Sequence, residues 1–237
     1  MKVKTIALMG MAAVVATACS TTKKAVTEKK QSITSLTSTG GTGNDDEQID
    51  KHAMASQNND FALSLFKETV GMDSKVISPL SVTYLMSVLA NGADGVTRQE
   101  IVKTLGWESY DVAKINRLCK SMMSEMATQD KSTVMKSANY VAVNKGEELL
   151  PSFISNVKDA YGAGIEQLDF SSPTALRTIN DWCKTNTDGM IPKLLDELNP
   201  AAVSYVMNAI YFNGSWTSKF DKAQTKEERF KGYTRDI

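Results

Sequence analysis

Histidine is almost absent from this sequence: His52 is the only one in 237 residues. An imidazole-activated nucleophile needs a positioned ring, and His52 sits at the edge of a polar stretch with no scaffold around it. Cysteine is nearly as scarce, at three residues, so metal sites of the Cys/His kind fail on counting. A glycine-rich phosphate loop between a strand and a helix is also missing. The acidic pairs Asp45-Asp46 and Glu147-Glu148 are neighbours in loops rather than converging carboxylates. Neither an enzyme nor a bound cofactor or metal is therefore expected. Charge of one sign is lacking too: 27 Lys and Arg balance 27 Asp and Glu, for a net charge of +0. No global field then favours nucleic acid as a partner. Lys23-Lys24 and Lys29-Lys30 read as solvation of a polar tail.

Long hydrophobic runs are absent as well. The run Ile6 to Val15 is too short to span a bilayer as a helix. It follows Lys2 and Lys4 and precedes the small residues Ala16-Thr17-Ala18 and then Cys19. Positive start, apolar run and small-residue site make a targeting segment, and Ala16 to Cys19 resembles a bacterial lipobox with Ala16 in place of the commoner Leu. The expectation is a signal peptide over 1–18 and an acylated Cys19 that anchors the protein to a membrane of the bacterial envelope. Ser20, rather than an acidic residue, favours the outer membrane. The alternative is an ordinary secretory signal cut at Ala18. Residues 19–50, rich in Ser, Thr, Lys and Gly, lack the apolar surface to offset chain entropy and read as a flexible tether. The folded domain is expected over 51–237. Cys119 and Cys183 could pair in an exported protein, but they fall in separate predicted helices and read as buried free thiols.

What is present is an ordinary globular balance, 42% hydrophobic and 23% charged, enough for one sizeable core. Asn58-Asn59-Asp60 offers a cap for a helix that ends near Gly71. Val76-Ile77 reads as a short strand. Ser78-Pro79 then starts a helix that is apolar almost all round, Leu80 to Ala90, with Ser81 as a second hydroxyl in its first turn. Thr97-x-x-Glu100 is a capping box. Helices are predicted at Val112 to Met126, at Leu149 to Tyr161 and after Ser172-Pro173. Strands are predicted at Val134 to Val143 and Gly164 to Phe170. Met190 to Leu198 is short and apolar–acidic.

The stretch Val203 to Phe212, without Pro or Gly, reads as a strand covered on both faces at the centre of a sheet, with Asn213-Gly214 as a turn and Trp216 beyond. Helices first, then strands interleaved with helices, indicate an α+β fold around a large sheet. Asn208 does not fit a dry strand. A buried amide without partners costs about 1–3 kcal/mol, so the identity of its partners becomes the central question.

Three stretches together resemble the serpin family. They are Val76-Ile-Ser-Pro-Leu-Ser-Val82 with Gly92-Ala-Asp-Gly-Val-Thr97, Ile179 to Ile191, and Asn208-Ala-Ile-Tyr-Phe-Asn-Gly-Ser-Trp216 with Phe220. The resemblance runs in order from about Asn58 to Phe230. It implies that Asn208, Ser78 and Ser81 form the family's shutter, where the main sheet parts, and that Trp216 marks the breach, where strand insertion begins. It implies inhibition of serine or cysteine proteases by cleavage of a reactive loop that enters the sheet. That loop lies near the C-terminus of the family's chains, so these residues are expected to be the N-terminal part of a longer protein, without the loop. The alternatives are a non-inhibitory serpin acting as a binding module and an inactive truncated lipoprotein.

Overall fold

The computed structural model describes residues 7–16, 43–71, 76–127, 133–216, 218–221, 223–229 and 231–232, with side chains from residue 51 onward. Cys19 and residues 19–42 of the expected tether lie outside the described residues. In chain order the elements are β1 (Ala7–Ala16), α1 (Gly43–Thr69), α2 (Pro79–Gly92), α3 (Gly95–Thr104) and α4 (Val112–Ala127). Then follow β2 (Thr133–Asn144), α5 (Pro151–Tyr161), β3 (Gly164–Leu168), α6 (Pro173–Asn186) and β4 (Ser204–Gly214).

The four strands make one sheet in the order β1-β4-β2-β3. β4 is antiparallel to β2, with Asn208 opposite Asn139, and β2 is parallel to β3. Alternation along β4 sends its side chains to two different cores. Val206 joins Val141 and Val143 of β2 in a core with Tyr84, Leu85 and Val88 of α2, Ile115 and Leu118 of α4, and Val157 and Tyr161 of α5. Tyr205 and Met207 face the other way, onto Ile179 and Ala175 of α6. The central strand is covered on both faces, as its largely apolar content requires.

The Ser-Pro starts behave as their chemistry dictates. Ser78 is extended at φ −121° and its hydroxyl accepts from the Ser81 N–H, with Pro79 in the first turn of α2. Ser172 does the same for α6 through the Thr174 N–H. Cys119 and Cys183 are free and buried.

Several expectations are corrected. α1 begins at Gly43, inside the stretch read as tether, where Asp45, Asp46 and Glu47 suit the positive end of a helix dipole. Asn58 is therefore mid-helix, and its side chain accepts from the Thr83 hydroxyl at 2.6 Å rather than capping. Val76-Ile77 is irregular rather than a strand, and so is Met190 to Leu198, for which no element was predicted. The latter segment is held by Asn180, whose Oδ1 accepts from the N–H groups of Leu194 and Leu195 and whose Nδ2 donates to the Leu195 carbonyl. Asp94, not the Thr97 box, sits at the cap of α3, without a side-chain capping hydrogen bond. Asn213-Gly214 does not turn: β4 continues through it because Val134 and Thr133 of β2 lie opposite.

Candidate functional site

The side chain of Asn208 lies at the centre of β4, fully buried on the face that looks toward α2. Its Nδ2 donates to Asn139 Oδ1 at 2.9 Å, to Ser137 Oγ at 3.2 Å and to the Ala138 carbonyl at 3.3 Å. Three acceptors around one nitrogen fix the amide orientation, which is otherwise ambiguous between O and N. The Oδ1 on the other side has no hydrogen-bond partner among the described residues. A buried, unpaired acceptor is costly, so this atom is the exception in an otherwise satisfied layer.

The layer continues from Asn139, whose Nδ2 donates to the Tyr161 carbonyl at 2.9 Å. The Tyr161 hydroxyl donates to Asn116 Oδ1 at 2.7 Å, and Asn116 and Asn91 exchange amide bonds at 2.8 and 2.9 Å. Asn91 also donates to the Ser87 carbonyl. The Cys119 thiol rests 3.9 Å from Ser87 Oγ. Burial pushes this thiol up to about 12, partly offset by hydrogen bonding with Ser87 and Tyr161. Burial first, and then the nearby Cys119, raise the Tyr161 phenol well above its ordinary value. Both groups therefore stay neutral at physiological pH, which suits a structural spacer between α2, α4 and α5.

Ser78 and Ser81 were expected beneath Asn208. They lie at the start of α2 and their hydroxyls meet each other at 2.9 Å. The amide nitrogen of Asn208 is held by Ser137 and Asn139 of β2. The sequence reading missed those two, although polar residues two apart in a predicted strand, both on one face, were a signal for them.

Beyond Asn208 the same face of β4 opens into a cavity of about 590 Å³, walled by Ile77, Pro79, Leu80, Met135, Ile210 and Phe212, with Ser78 and Trp216 also lining it. Trp216 is 59% exposed and packs edge-on against Phe220 at 5.6 Å. The Phe212 ring lies close over Gly214: a Cβ there would stand 2.9 Å from the ring tip. Among the described residues, no cluster of three His, Cys, Asp or Glu could hold a metal ion.

The sequence model of the family described as Serpin (serine protease inhibitor) matches residues 56–236. Corticosteroid-binding globulin of Saimiri sciureus is 35% identical over 184 residues, covering 75% of this chain and 45% of that protein. Antichymotrypsin-2 of Bombyx mori is 34% identical over 179 residues, covering 73% and 47%. Among solved structures, the thermophilic serpin tengpin in the latent state superposes with a TM-score of 0.70 at 28% identity, covering 76% of this chain and 48% of that one. The chain thus spans about half the length of the relatives it matches. With the fold, the order of motifs and the matched residues in agreement, this chain belongs to the serpin family.

Proposed function

We propose that this chain supplies the sheet-opening half of a serpin-type inhibitor of serine or cysteine proteases, with the reactive loop provided by sequence outside residues 1–237. The observation that carries this reading is the unpaired Oδ1 of Asn208, an acceptor in the middle of a strand buried on both faces. A strand with all its polar groups satisfied has no reason to part from its neighbours. One that holds back a buried acceptor is less committed to its present set of contacts. In this reading Asn208, with Ser78 and Ser81 at the start of α2, forms the shutter, now joined by Ser137 and Asn139. Trp216 stands at the breach, at the open end of β4. Cys19 is acylated and anchors the protein to the bacterial envelope.

The test is to mix the polypeptide that includes the reactive loop with a panel of serine and cysteine proteases and run a denaturing gel. A denaturant-resistant shifted band is expected. Its absence with every protease would favour a second reading, a non-inhibitory binding serpin, which the similarity to corticosteroid-binding globulin supports. Anchoring is tested separately. Metabolic labelling with a fatty-acid analogue should mark the wild type and not Cys19→Ala, and equal labelling of both would remove the lipid anchor from the account.

A further inference from the structure

Part of the junction between α4 and α5 is polar rather than packed. Helical spacing sets Asn116 and Lys120 in one row of α4 and Ala113 and Arg117 in the next, and sets Asn156 and Ala160 in one row of α5. These rows border a cavity of about 420 Å³ that Arg98 of α3 also lines. The small side chains of Ala113 and Ala160 leave the room. The volume falls within the range of small-molecule sites, roughly 300–1,000 Å³.

Three of the lining side chains are cationic, Arg98, Arg117 and Lys120, against one carboxylate, Asp159. A concave wall with that excess of two positive charges concentrates its field. Much of the donor capacity is unspent. Arg98 is fixed by its Nε, which donates to the Ala93 carbonyl at 2.8 Å. Its ion pair with the exposed Asp94 is long, at 3.8 Å, so the outer N–H groups of its guanidinium remain to bind. Lys120 donates to Asp159 at 2.7 Å and keeps further N–H groups. Arg117 makes no hydrogen bond or ion pair among the described residues. Asn116 is held rigid by its exchange with Asn91 and by the Tyr161 hydroxyl.

We propose that this cavity binds a tetrahedral dianion, the phosphate or sulfate group of a small polar molecule. The charge excess matches a dianion, and fixed and free guanidinium groups suit its several acceptor oxygens. The bound group draws α3, α4 and α5 together around the end of α2. The site uses neither the shutter nor any sequence outside residues 91–160, so it stands or falls apart from the inhibitory function.

Calorimetric titration of the full chain with inorganic phosphate, and separately with inorganic sulfate, tests this, with sodium chloride at equal ionic strength as the reference. Saturable binding of at least one of the two dianions is expected, with none of chloride, and the tighter one identifies the class of ester. Arg117→Gln and Arg98→Gln should each weaken binding at least about tenfold. Lys193→Gln removes an exposed charge outside the cavity and should bind as wild type does. Ala113→Leu leaves every charge in place and fills the space with a good helix former; it should abolish binding.

Should a variant fail to fold, the wild type alone decides. Backbone amide shifts followed through the same titration should move for residues 112–120 and 152–160 and stay still along β2 and β4. Phosphate and sulfate that bind no better than chloride would overturn the proposal. So would equal losses from Arg117→Gln and Lys193→Gln, which mark general surface attraction, or wild-type binding by Ala113→Leu, or shifts confined to other parts of the chain.

Discussion

The two ends of β4 are built from similar residues and treated differently. From Ser204 to Tyr211 every side chain is buried, between the α2 core on one face and the α6 core on the other. From Phe212 onward the strand borders a cavity of about 590 Å³, and Trp216 and Phe220 stand largely exposed. Asn208 lies where the packed part approaches the open part. The contrast shows that apolar content alone does not say how strongly a strand is held. Helix cover on both faces fixes the first part, and the second is held chiefly by its ladders with the neighbouring strands β2 and β1.

The largest effect should come from the packed part. Met207 is fully buried against α6 residues, and Met207→Ala should destabilise the chain by about 2–5 kcal/mol. The readout is a lowered denaturant midpoint with little change in slope.

Asn208→Ala should come next, at about 1–3 kcal/mol. It removes one unpaired acceptor but strands Asn139 Oδ1 and Ser137 Oγ, the acceptors its nitrogen serves. A double-mutant cycle with Asn139→Ala should show strong coupling, while a cycle with Ser78→Ala should be close to additive.

A third prediction concerns pH. The folded Cys119 thiol is raised to about 12 from an ordinary 9.0, so the folded state holds this proton more tightly than the unfolded one. Its contribution to stability is complete below pH 9 and declines as pH rises toward 12. Cys119→Ala should flatten the fall in stability over that window relative to wild type. In the native protein at pH 8, Cys119 should resist alkylation.

The smallest effect belongs to the open end. Phe212→Ala should change stability by no more than about 1 kcal/mol. A loss as large as that of Met207→Ala would erase the distinction between the two ends.

The sequence made the helices α2, α4, α5 and α6 and the strands β2 and β4 legible, because each combines a clear period with a strong start or stop, such as Ser78-Pro79 or Ser172-Pro173. It failed where a local signal was overruled by a distant partner. Asn58 looks like a cap, but Thr83 claims its side chain. Asn213-Gly214 looks like a turn, but β2 extends the ladder past it. The apolar run at the N-terminus read as a targeting segment, and nothing in it showed that β4 would pair with it. For the candidate site, the sequence singled out Asn208 and the start of α2. The partners on β2 were not found: Ser137 and Asn139 stand out as a polar pair on one face of their strand, but which residue they meet depends on a register between positions some 70 apart.

The central claim is that the shutter around Asn208 controls how readily the sheet opens. It is tested most directly by warming the loop-bearing polypeptide, as wild type, Asn208→Ala and Phe212→Ala, and following over time its capacity to form a denaturant-resistant complex with a target protease. The account predicts that Asn208→Ala loses this capacity, or polymerises, several-fold faster than wild type, while Phe212→Ala keeps pace with wild type. Equal lifetimes for wild type and Asn208→Ala would contradict it.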